Sequence, residues 1–90
     1  MIHYENTVID QNQKPVKGLS VTVTEATIPP GKGPVIDIFR EVSPWLVKET
    51  NPFPAKNDGS FSFYAEPGRY DISFEGEGMA KSGISGVDLT

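Results

Sequence analysis

Three stretches of this chain alternate apolar and polar side chains. They are Leu19-Ser20-Val21-Thr22-Val23-Thr24-Glu25, Ser60-Phe61-Ser62-Phe63-Tyr64-Ala65 and Arg69-Tyr70-Asp71-Ile72-Ser73-Phe74-Glu75. A period of two sends successive side chains to opposite faces of a pleated strand, so each stretch reads as a strand with one buried and one wet face. Leu19, Val21 and Val23 are expected inside, as are Phe61, Phe63, Tyr70, Ile72 and Phe74, with Asp71, Ser73 and Glu75 left to solvent. Shorter patterns predict strands over His3 to Asp10, Val35 to Arg40, Trp45 to Glu49 and Ile84 to Leu89. No useful length of chain repeats at 3.6 residues, so no helix is expected.

Turn chemistry separates these stretches. Gln11 to Pro15 is polar and ends in Pro, Ile28 to Pro34 holds three Pro and two Gly, and Ser43-Pro44 interrupts the middle of the chain. Pro52 and Pro54 flank Phe53 and remove two ladder donors, which confines that segment to an extended crossover or a sheet edge. Asn57-Asp58-Gly59 is a turn signal. Glu66-Pro67-Gly68-Arg69 matches a type II turn and would join its two alternating strands into an antiparallel hairpin. Gly76 to Gly83 reads as a loop. About seven short strands in one domain, residues 1–90, describe an all-β, small antiparallel β-sandwich.

Composition strengthens that reading and excludes some chemistry. Val, Ile and Thr supply 21 residues against 9 for Leu, Ala and Met, a ratio that favours pleated over helical backbone. Cys is absent, so neither disulfides nor thiolate metal sites can form. Eight Lys and Arg against 12 Asp and Glu, net −4, is the wrong balance for nucleic acid. The start of the chain has no basic segment followed by an apolar run, and the mostly apolar stretch from Val35 to Phe39 is interrupted by Asp37. Neither a signal peptide nor membrane insertion is therefore expected.

Catalytic groups are sparse. His3 is the sole His and lies near a terminus, so a triad or a His-based metal site lacks its parts. None of the seven Ser residues sits in a Gly-x-Ser-x-Gly elbow. Asn57-Asp58-Gly59 lacks the earlier acids and the closing Glu of a calcium loop, and Gly76-Glu77-Gly78 lacks the helix of a dinucleotide site. Glu75 and Glu77 flank a Gly in a loop and read as solvated charge. No cofactor is expected. Trp45 is the remaining candidate, either an exposed platform for a sugar or protein, or a residue of the core or a subunit interface, since Leu46 and Val47 follow it.

Two segments carry a resemblance. Thr7-Val8-Ile9-Asp10, Lys14-Pro15-Val16-Lys17-Gly18 and Val21-Thr22-Val23 resemble the opening of carboxypeptidase-regulatory-like and transthyretin-like sandwiches. The segment from Asn51-Pro52-Phe53-Pro54 through Gly59-Ser60-Phe61-Ser62-Phe63-Tyr64-Ala65 to Gly68-Arg69-Tyr70-Asp71-Ile72 resembles a module of bacteriophage tail fibre, tail spike and related virion proteins. That likeness covers about half the chain, extending to Gly76 and towards Val87-Asp88-Leu89. It implies an immunoglobulin-like or transthyretin-like sandwich in a virion and transfers no catalytic or ligand residue. A chain running only from Met1 to Thr90 would be a free-standing version of the module, attached through its own surface.

The expected function is accordingly a non-enzymatic virion structural protein: a capsid decoration, a head or tail appendage, or a fibre-attachment adaptor. Its partners would be other virion proteins and copies of itself, met through Trp45, Leu46 and Phe53, the loop 28–34 and the segment 44–54. The alternative is a carbohydrate- or receptor-binding module that stacks a host-surface glycan on Trp45 or Tyr64. Enzymes on the transthyretin-like fold depend on several His residues, which this chain lacks.

Overall fold

Each of the three alternating stretches forms a strand in the computed structural model, which describes residues 1–9, 18–76 and 82–90. The turn expected over Gln11 to Pro15 and most of the loop expected over Gly76 to Gly83 lie outside the described residues. Eight strands follow in chain order: β1 (Ile2–Thr7), β2 (Ser20–Glu25), β3 (Ile38–Val42), β4 (Trp45–Glu49), β5 (Phe53–Pro54), β6 (Ser60–Ala65), β7 (Gly68–Glu75) and β8 (Ser82–Leu89). They make two four-stranded antiparallel sheets, β1-β6-β3-β4 and β5-β2-β7-β8, which form a small β-sandwich with a radius of gyration of 12.8 Å.

The extra strand over the expected count is β5, where Phe53-Pro54 pairs with Val21 and Ser20 at the edge of the second sheet. Two residues suffice there because the flanking prolines leave few amides to donate. The first strand ends at Thr7, short of Asp10. The third begins at Ile38; Val35 makes only an isolated bridge with Thr24.

The hairpin expected from Ser60 to Glu75 does not form. β6 pairs with β1 and β3 in the first sheet, whereas β7 pairs with β2 and β8 in the second, so Glu66 and Pro67 carry the chain across the sandwich. Gly68 is not among the glycines with positive φ, so the type II turn is absent too. Alternation reports which face of a strand is buried and says nothing about its neighbour. The corner is held instead by Tyr70, whose buried phenol donates to the Glu66 carbonyl at 2.8 Å. This is the bond of a tyrosine corner, a device of immunoglobulin-type sandwiches.

Between the sheets, Leu19, Val21, Val23, Ile72 and Phe74 pack against Ile38, Phe61, Phe63 and Ala65, with Leu89 and Phe53 closing the ends. The aromatics form a continuous group. Phe53 meets Phe61 and Phe63 edge-on, at 6.3 Å from each, and Phe61 lies 5.5 Å from Phe74 across the sandwich. Tilted and edge-on contacts place the positive rim of one ring on the negative face of the next.

Candidate functional site

The β3–β4 hairpin is used by the core at one end only. Ser43 and Pro44 form a two-residue turn, with Val42 opposite Trp45, Arg40 opposite Val47 and Ile38 opposite Glu49. Alternation puts these six residues on the core-facing side of the hairpin. Ile38 is fully buried, but beyond it the ladder to β6 consists of the single pair Phe39–Tyr64. The inward-facing side therefore continues along a hairpin that has left the ladder to β6. On that side Val42 is 44% exposed and Trp45 69%, and on the outer face of the hairpin Leu46 is 42% exposed.

Trp45 and Leu46 thus lie on the surface, and the alternative of a core Trp is overturned. Phe53 is the opposite case. At 6% exposure, locked between Phe61 and Phe63, it cannot present its ring to a partner and belongs to the core. The extended, proline-flanked segment that suggested an adhesive edge is the segment that tucks Phe53 inward.

Electrostatics on the hairpin are locally balanced. Lys48 Nζ lies 3.1 Å from Asp37 Oδ1, and Arg40 Nε lies 3.4 Å from Glu49 Oε2. The Lys48–Asp37 pair is exposed and the Arg40–Glu49 pair partly so, and such pairs add little to stability. Their effect is to leave β4 without an uncompensated charge. On the outer face of the same sheet His3, Tyr64 and Phe39 stand in one cross-strand row, with the His3 and Tyr64 rings 4.7 Å apart. Tyr64 is half-buried in that row and offers less free ring than Trp45 does.

A second cluster lies in the second sheet. Asp71 was expected on a wet face, yet it is only 3% exposed. Its Oδ2 accepts the amides of Thr27 at 3.1 Å and Gly31 at 3.0 Å, and its Oδ1 accepts that of Gly86 at 2.9 Å. The third bond depends on an irregularity. β7 pairs Tyr70 with Val87 and Ile72 with Ile84, so β8 holds one extra residue opposite Asp71, and Gly86 takes φ 65° to turn its N–H inward. A bulge of this kind re-aims the backbone at one point of a ladder. The Gly86 and Gly31 amides, followed by Thr27 and the charge of Arg69, hold the Asp71 carboxyl below its ordinary pKa.

Asp71 therefore fastens the 26–34 loop to the second sheet. A depression of about 570 Å³ beside it is lined by Thr27, Ile28, Pro30, Arg69, Ser85 and Gly86. The carboxylate is already committed to three backbone donors, so it is not available as a base or ligand for anything bound there. Asp58 is likewise engaged locally: its Oδ1 accepts the Ser60 hydroxyl at 2.6 Å and the Ser60 amide at 2.9 Å, which lowers its pKa. His3 is exposed and stacked on Tyr64. Among the described residues, no group of three His, Asp or Glu side chains is placed to hold a metal ion.

Sequence reasoning missed Asp71 and Asn51. The Asn51 amide donates to the carbonyls of Val23 at 2.7 Å and Ile36 at 2.9 Å, while its oxygen accepts the Val23 amide at 3.1 Å. It acts as a piece of strand backbone supplied by a side chain. No family model matches this chain, nor does any curated protein or solved structure.

Proposed function

We propose that this chain is a non-enzymatic structural protein that works by packing against other proteins through the β3–β4 hairpin. The observation that carries this reading is the exposure of Val42 and Trp45 on the inner face, and of Leu46 on the outer face, of a hairpin that keeps a single pair with β6. Trp is the residue whose burial contributes most at interfaces, and adjacent exposed apolar groups on a small domain mark contact surfaces. A stable contact needs roughly 1,000 Å² in total, so a partner on this hairpin would have to cover both of its faces.

The setting we propose is a bacteriophage virion, with the chain as a capsid decoration, a head or tail appendage, or a fibre-attachment adaptor. The support is the resemblance over Asn51 to Ile72. In this molecule those residues supply β5, β6 and the start of β7, so the likeness rests on fold-building positions. Proteomics of purified particles tests the setting, and absence of the chain from them would remove it.

Trp45→Ala tests the surface. Trp45 is mostly exposed, so the substitution is expected to change stability by no more than about 0.5 kcal/mol in urea unfolding. Incorporation into particles is expected to fall sharply. Full incorporation of a well-folded Trp45→Ala chain would show that the contact lies elsewhere. Binding of the wild-type chain on a glycan array, abolished by the same substitution, would instead favour the carbohydrate-binding reading.

A further inference from the structure

Among the described residues, the four sheet edges are not equivalent. β5 is two residues long and bracketed by prolines, β8 is bulged at Gly86, and β1 runs into Glu5, Asn6 and Thr7. Shortness, proline, bulges and polar side chains are the devices that stop an edge from pairing with another chain. β4 is regular, carries Trp45-Leu46-Val47, and has its two charges neutralised within its own chain by Asp37 and Arg40.

We propose that β4 pairs antiparallel with β4 of a second copy of this chain, about a two-fold axis at Val47. The proposal rests on the reading of the hairpin as a packing surface and names one of its occupants. Residues flanking a two-residue turn exchange both ladder bonds, so Trp45, Val47 and Glu49 turn their backbone groups towards β3. The N–H and C=O groups of Leu46 and Lys48 then point to the open edge. A two-fold axis at Val47 brings Leu46 opposite Lys48 of the second copy, twice, and closes four backbone hydrogen bonds. It keeps the outer face of one sheet continuous with that of the other.

The side chains suit this register. No like charges meet. Leu46 lies along the aliphatic stem of Lys48 from the second copy, and Trp45 lies beside Glu49, whose carboxylate Arg40 already holds. Moving the axis by one residue to Lys48 would set two ammonium groups face to face, and moving it to Leu46 would set Lys48 against Pro44 in the turn, which has no N–H to donate, so the Val47 axis is the one that closes all four bonds without like charges.

Sedimentation equilibrium of the full chain from about 1 μM to about 1 mM tests the proposal, with Leu46→Lys and Leu46→Glu as variants. Both lose the same apolar side chain. The first puts Lys opposite Lys48 of the second copy and the second puts Glu there. Wild type is expected to show a concentration-dependent dimer. Leu46→Glu is expected to retain it, with a dimerisation constant at least about tenfold more favourable than that of Leu46→Lys, because two pairs change sign together. Circular dichroism checks that all three chains are folded. A wild-type chain that stays monomeric throughout, a species other than a dimer, or equal weakening by both variants would overturn the pairing. Trp45→Ala that still fails to enter particles while wild type is monomeric would leave the hairpin as a surface for a different protein.

Discussion

Replacing Phe53 by Ala is expected to destabilise the fold by about 3–4 kcal/mol, the cost of deleting a buried aromatic ring and leaving its cavity. The ring is closed in by Phe61 and Phe63, and it sits on a two-residue edge strand with little else to retain it. A domain of this size has roughly 5–13 kcal/mol of total stability, so the loss takes a large share of it. Urea unfolding should show a lower midpoint for Phe53→Ala and an almost unchanged one for Trp45→Ala. Both residues invite the same reading in the sequence, as aromatics in a proline-rich middle segment. An unchanged midpoint for Phe53→Ala would mean that the ring is not part of the core.

Asp71→Ala is expected to cost about 2–4 kcal/mol at neutral pH, since three backbone amides lose a charged acceptor and only part of that loss is recovered by water. Asp71→Asn keeps one acceptor oxygen and should lose less. The pH dependence has a definite sign. The folded-state pKa of Asp71 is depressed by the Gly86, Gly31 and Thr27 amides. The unfolded chain therefore binds this proton at a higher pH than the folded one does. The stabilisation is fully present above the unfolded value near 4 and disappears as the pH falls through the folded value. Asp58, lowered by Ser60, acts in the same direction. Urea midpoints for wild type should hold from about pH 7 to 5 and fall by pH 3, with a shallower fall for Asp71→Asn. An equal fall in both proteins would mean that Asp71 is not the group that acid releases.

The strands were readable where burial leaves a period of two, and their partners were not. Phe61-Phe63 and Tyr70-Ile72-Phe74 point into one interior whether they belong to one sheet or face each other from two. The Pro67-Gly68 signal tips the reading towards a hairpin. Deciding against it requires knowing that Tyr70 caps the corner and that β2 and β1 are the true neighbours, both long-range facts. Asp71 was hidden for a related reason. Its place in the alternation is a solvent position, and only the extra residue in β8 and the folded-back 26–34 loop enclose it. Asn51 was marked by the following Pro, while its role depends on Val23 and Ile36, distant in sequence.

Trp45 shows the limit of local pattern on the functional side. Trp-Leu-Val at the start of a strand reads as core or as a subunit interface, and local pattern does not separate the two. Exposure follows instead from the ladder, because β3 keeps only the Phe39–Tyr64 pair with β6 while its pairing with β4 runs on to Val42 and Trp45. That mismatch between an apolar face and the core beneath it is what makes the hairpin the candidate contact. It could not be measured before the register of β3 against β6 was known.

Hydrogen exchange of the chain, free and in its native assembly, tests the hairpin directly. Residues 42–49 should gain protection on assembly, with the Leu46 and Lys48 amides changing most, while the amides around Phe53 and Phe63 are already protected in the free chain. Protection gained instead along the 26–34 loop and β8, with 42–49 unchanged, would place the contact on the second sheet and contradict the assignment.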